Sequence, residues 1–229
     1  MIVHTPAIVL KSFPYSDTSI IARCFSKDQG KVSIIVKGAR SKSSPKTAHF
    51  QPLGYIEMIY NNKPDRGLQV LSKVDFIEFW PRIIEDLKAV TLSMTILEIT
   101  DKTLSENDPY PGLFNTLVNV LRMYNEQKTN PNLLFWFYEC ALLSHLGFRP
   151  SLDKLEFPGL TLVDLDSGPN SRAILTKLLK ENMGDLPSEP IMAKDRKVIS
   201  DYLWTLLRYH CDGLDKIKSM DVARNILTD

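Results

Sequence analysis

The chain has 229 residues, with 28 Lys and Arg against 27 Asp and Glu for a formal net charge of +1; 44% of residues are hydrophobic and 24% charged. This is ordinary globular make-up, enough for one large domain or two small ones and for a core that needs no staples, and it excludes a histone-like polycation or an acidic disordered tail. Cys24, Cys140 and Cys211 are far apart, odd in number and form no CxxC pair, which argues against a zinc site of the usual spacing and against a disulfide framework, and favours a reducing compartment.

Up to about residue 80 the chain reads as strands. Ile8-Val9-Leu10 is a short apolar run, and residues 18–25 are rich in β-branched and aromatic side chains. Lys27-Asp28-Gln29-Gly30 is a turn signal, followed by a strand over 31–37 with Val32, Ile34 and Val36 on one face. Residues 55–60 alternate again, and a polar turn over 61–67 leads into a partner strand over 68–79. About five short strands favour a small closed barrel, because closure removes exposed edges; the five-stranded OB-fold is the first choice at this size and an SH3-like barrel the alternative.

From Trp80-Pro81 onward the period is helical. Pro81 suits a first helical turn, and apolar residues recur at three-to-four spacing from Ile83 to Ile99. A second helix is expected over 109–127. A third begins at Asn130-Pro131; its Leu133–Tyr138 run is apolar on every side, as in a central buried helix, with Gly147 as the residue after its end. Residues 151–170 read as irregular, with a small hairpin over 157–163. Two more helices are expected over 195–211 and 215–227. The expectation is an OB-fold domain over 1–80, able to fold and bind alone, and a helical bundle domain over 81–229 with an irregular insert at about 151–170.

Charge follows the same division. Residues 1–80 carry 11 cations against 6 acids, net +5, and residues 81–229 carry 17 against 21, net −4. Such asymmetry points to an anionic partner for the first part. The segment Lys37–His49 puts Lys37, Arg40, Lys42 and Lys46 within ten residues, spaced by Gly, Ala, Ser and Pro. It reads as a mobile loop with no packed element, whose cations track phosphate without reading sequence. Lys11, Arg23 and Lys31 are secondary candidates, with Phe13, Tyr15, Phe25 and Phe50 as stacking platforms. The motifs of nucleotide loops, serine nucleophiles and zinc proteases are missing, and no His pair has ligand spacing. The expectation is a non-enzymatic protein with no catalytic residues, metal or cofactor. The segment Met1–Pro6 does not read as a signal peptide, and no uncharged apolar stretch reaches the roughly 18 residues a membrane span needs.

Several segments, in order and spacing, resemble the RecO family of bacterial recombination mediators. They are residues 7–10, 15–20, 30–32, Val36-Lys37-Gly38-Ala39-Arg40-Ser41, Gln51-Pro52-Leu53 and Leu146-Gly147-Phe148-Arg149-Pro150-Ser151-Leu152-Asp153. The resemblance implies an N-terminal OB-fold and a C-terminal helical domain, and a cytoplasmic, nucleoid-associated protein of DNA damage repair and recombination. It implies binding of single- and double-stranded DNA, annealing of complementary strands, and RecR and the single-stranded DNA-binding protein as partners. The alternative is a protein–protein adaptor that does not touch DNA. Many relatives carry a zinc site after the LxD motif. Here Leu155 stands where the first cysteine would be, so zinc is expected to be absent, with Leu155, Phe157, Leu160 and Leu162 holding 155–170 together by packing.

Overall fold

The computed structural model describes residues 1–41, 44, 46–154 and 156–228. They form two compact units: Met1–Pro81 with Leu104–Val118, and Arg82–Thr103 with the chain from Asn119 onward.

The first unit is a closed barrel of β1 (Ile2–Tyr15), β2 (Ser19–Ser26), β3 (Gly30–Val36), β4 (Tyr55–Asn61) and β5 (Gln69–Glu78), in the order β1-β2-β3-β5-β4. Neighbouring strands are antiparallel except β3 and β5, which meet in parallel at Ile34–Gln69 and Ile35–Val70. This is the OB-fold closure. The short run at Ile8–Leu10 is the middle of a 14-residue strand. β1 pairs with β4 through Ile2–Ile8 and with β2 through Ala7–Tyr15, bending at an irregularity between Val9 and Lys11. A bulge increases local twist, which lets one strand serve both sides of a barrel. Inward residues alternate along the strands: Val9 in β1, Ala22 and Cys24 in β2, Val32, Ile34 and Val36 in β3, Ile56, Met58 and Tyr60 in β4.

The segment after β3 contains packed structure, contrary to the expectation of a wholly unstructured loop. Ala39 and Phe50 are buried in the barrel core, and α1 (Lys46–His49) forms between them. The Thr47 hydroxyl donates to the Ala39 carbonyl at 2.5 Å, and the His49 ring stacks on Phe76 at 4.0 Å. A small apolar side chain at 39 and an aromatic one at 50 draw both ends of the segment into the barrel.

Helices follow as α2 (Pro81–Glu85), α3 (Leu87–Thr103), α4 (Pro111–Glu126), α5 (Pro131–His145), α6 (Ser171–Leu178), α7 (Ala193–His210) and α8 (Lys218–Thr228). The single helix expected from Pro81 divides at Asp86, whose carboxylate accepts from the Ala89 N–H at 2.7 Å and so caps α3. Asn130 caps α5 in the same way, accepting from Asn132 N–H at 3.0 Å. α5 is buried on all sides from Asn132 to Leu143 and packs against α3, α6 and α7. The fully buried Asp195 fixes the entry to two helices. It accepts from Asn170 N–H (2.8 Å), Ser171 Oγ (2.9 Å) and Met192 N–H (3.0 Å).

The 151–170 region contains a minimal hairpin, β6 (Glu156–Phe157) and β7 (Leu160–Thr161), turning at Gly159 with φ of 76°. Phe157 lies 5.4 Å from Tyr209 and 5.9 Å from His210, with Lys154 Nζ 4.4 Å over its ring. Leu162 and Leu165 are buried, and Arg172 grips Asp166 through two hydrogen bonds of 2.7 and 2.9 Å. Leu155 lies outside the described residues. Cys24 and Cys140 are buried in the barrel and in α5, and burial pushes the Cys24 thiol up to about 12. Among the described residues no three His, Cys, Asp or Glu side chains are grouped as metal ligands.

Candidate nucleic-acid interface

Strand register determines which outward side chains stand together, because directly paired residues point to the same side of a sheet. Across β1, β2 and β3 one outward row is Lys11, Arg23 and Ser33. Two residues further along, about 7 Å, the next is Phe13, Ile21 and Ile35, continued onto β5 by Val70 and onto β4 by Asn61. Beyond it come Tyr15 and Ser19, with Lys37 leaving β3 just after the Ile20–Val36 pair. An apolar row thus runs over four strands between two rows that carry cations.

The candidate residues distribute unevenly over this surface. Lys37 is exposed at the end of β3. Arg40 is tied to the β1–β2 turn: its N–H donates to Thr18 O at 2.8 Å and its Nη1 to Ser16 O at 3.2 Å. That places the guanidinium on the turn that follows Tyr15. Lys46 is exposed at the start of α1, next to the Thr47 that grips Ala39, the residue before Arg40. Lys42 lies outside the described residues. Lys11 and Arg23 are direct cross-strand partners, a like-charge pairing that costs stability unless something negative compensates; each has further partners of its own. Lys31 is set apart. It is only 7% exposed, and Lys37 lies six positions further along the strand, about 20 Å away. Of the aromatics, Phe13 is 40% and Tyr15 46% exposed, as a stacking platform requires. Phe25 and Phe50 are fully buried and belong to the core, Phe25 edge-on to Phe114 at 5.6 Å.

Two cations were not singled out in the sequence. Lys63 and Arg66, on the turn between β4 and β5, are exposed around a concavity of about 300 Å³ that also includes Val70. The buried Gln69 shapes this turn: its side chain accepts from Lys63 N–H (2.9 Å) and donates to Lys63 O (3.0 Å) and Arg66 O (2.6 Å). The turn signal was legible. Its place at the end of the apolar row was not, because it depends on the parallel pairing of residues 34–35 with 69–70.

An OB-fold barrel with an apolar stripe between cations, in one chain with a helical unit, defines the general class. The sequence carries the two family signatures "Recombination protein O N terminal" over residues 1–80 and "Recombination protein O C terminal" over residues 84–161, and the chain belongs to the recombination protein O family. It is 32% identical over 160 residues to the DNA repair protein RecO of Salinibacter ruber, a match covering 70% of this chain and 62% of that one. A match of 30% identity to the RecO of Exiguobacterium sibiricum covers 67% of this chain and 60% of the relative. The RecO of Flavobacterium psychrophilum is 25% identical over the full length of both chains. The first two matches thus span about three fifths of the relatives' length. Among the described residues no helix is long and apolar enough to cross a membrane.

Proposed function

We propose that this chain is a DNA repair and recombination mediator that binds single- and double-stranded DNA on the outer face of the barrel and anneals complementary strands. The observation that carries the reading is the apolar row Phe13–Ile21–Ile35–Val70 set between Lys11 and Arg23 on one side and Lys37 and Arg40 on the other. Cations neutralise phosphate and release counterions, while exposed rings and aliphatic side chains accept unstacked bases without regard to sequence. Two strands repel through their phosphates. A basic surface that holds them lowers that repulsion and raises local strand concentration, and base pairing supplies the free energy. None of these steps requires a nucleophile or a metal, so the protein acts without catalytic residues. RecR and the single-stranded DNA-binding protein are its proposed partners, on the strength of family membership, and the nucleoid of the cytoplasm its proposed location.

The direct test is annealing of complementary oligonucleotides coated with single-stranded DNA-binding protein, which the chain is expected to accelerate. Replacing Lys37, Arg40 and Lys42 by Glu removes three phosphate contacts. At about 0.7 per contact for single strands, the slope of log K against log salt flattens by about 2. The loss is the same for all sequences, since phosphate contacts carry no base information. An unchanged melting temperature with unchanged affinity and salt slope would refute this assignment of the site.

A further inference from the structure

We infer that Glu106 is a built-in counter-charge on the cationic face of the barrel, holding its affinity for a nucleic-acid backbone below what the cations alone would give. This rests on the proposed strand-binding role of that face.

The edge of β3 that faces β5 is paired with it only at Ile34 and Ile35. Further back, Lys31 forms a parallel bridge with Glu106, and the Asn107 N–H donates to Lys31 O at 2.9 Å. Next to this bridge sits Gly30 with φ of 68°, where an added Cβ would lie 2.0 Å from the Asp108 carbonyl oxygen. Backbone contacts therefore seat residues 106–108 against the barrel, in the compact unit to which they belong. The Glu106 carboxylate takes no part in that anchoring. It is exposed, and the hydrogen bond its Oε1 accepts among the described residues is a long one, 3.4 Å, from the neutral Ser33 hydroxyl.

Ser33 is the third member of the row Lys11, Arg23, Ser33. Glu106 thus places a negative charge at the end of one cationic row, on the same β3 edge where β5 enters from the Lys63–Arg66 turn. A phosphate approaching Arg23 meets a carboxylate carried on a segment held in place by backbone, and the field at that end of the row is reduced. A surface that brings two strands together must also let the product go, and a fixed negative charge weakens binding without altering the stacking surface.

The test uses the full chain and a fluorescent oligothymidylate. Glu106→Gln keeps an acceptor for Ser33 and removes the charge. At about 50 mM salt it should bind about threefold tighter and release the strand correspondingly more slowly; at about 0.5 M salt, where charges are screened within roughly 4 Å, the difference should vanish. Glu106→Ser should change affinity in the same direction. Unchanged or weaker binding by both variants overturns the inference, as does a gain that persists at high salt, and so does unfolding of both, which would make the carboxylate structural. If the wild-type chain fails to bind the oligonucleotide at low salt, the strand-binding reading falls and this inference with it. If the wild type binds and both Glu106 variants match it, only the counter-charge is lost.

Discussion

Glu139 is a carboxyl group inside an apolar helix. It is 1% exposed in the middle of α5, and its Oε1 has no hydrogen-bond partner. Burial pushes its pKa well above the usual carboxylate range, and the charge of Arg224 only partly opposes that shift. The folded chain therefore keeps a proton that the unfolded chain gives up. By linkage, the group's contribution is fully favourable below the ordinary carboxylate pKa and declines as pH rises towards the raised value, by at most about 1.4 kcal/mol per pH unit. The expectation is that stability to urea falls as pH rises above the ordinary carboxylate range and that Glu139→Gln flattens the fall. Parallel pH profiles for the two proteins would show that Glu139 is ionised in the fold. The cost of the acid within α5 is not legible in the sequence, because it depends on the helices that pack around it.

At the scale of elements, local chemistry sets the boundaries. Asp86 turns one apolar periodicity into two helices by capping α3, and Asp86→Ala should lower stability by about 1 kcal/mol, read from denaturant unfolding. Gly30 ends the β2–β3 turn with a positive φ and lies directly against Asp108. Gly30→Ala should cost more, on the order of 2–3 kcal/mol, since it adds both backbone strain and a clash with main-chain atoms that cannot swing aside. A variant that melts with the wild type would mean the 106–108 segment is not seated as described. The strands, α4, α5 and α7 were legible because alternation, helical spacing, the Asn130 cap and the positive-φ Gly147 are local signals. α6 was missed, because its anchor is Asp195, 25 residues beyond the Asn170 whose N–H it accepts. Among the candidate residues, the clustering of Lys37 and Arg40 is a local feature of the sequence, whereas the placement of Lys63, Arg66 and Glu106 depends on strand pairings distant in sequence. Phe25 and Phe50 misled for the complementary reason: exposure is decided by register, and both point into the core.

At the scale of the whole molecule, the barrel does not end where the strands end. Its compact unit takes in Leu104–Val118, after the chain has left it for the helices between. Leu113 and Phe114 are buried, and the Phe114 ring meets Phe25 at 5.6 Å and Tyr55 at 6.2 Å. The Lys31 bridge to Glu106 covers a stretch of β3 edge that β5 leaves unpaired. A fragment of residues 1–80 would lose both, exposing aromatic surface and a strand edge, the combination that promotes association. Such a fragment is expected to bind a hydrophobic dye and to sediment as more than a monomer. Adding a synthetic peptide of residues 104–118 in trans should reduce dye binding and raise the melting temperature in a concentration-dependent way, as a ligand of the folded state does. The DNA affinity of the fragment, measured at low salt, should rise with the same peptide concentration if folding limits it. A monomeric 1–80 fragment that melts cooperatively, ignores the peptide and binds DNA as the full chain does would show that the strands are sufficient and that residues 104–118 are only passengers on the barrel.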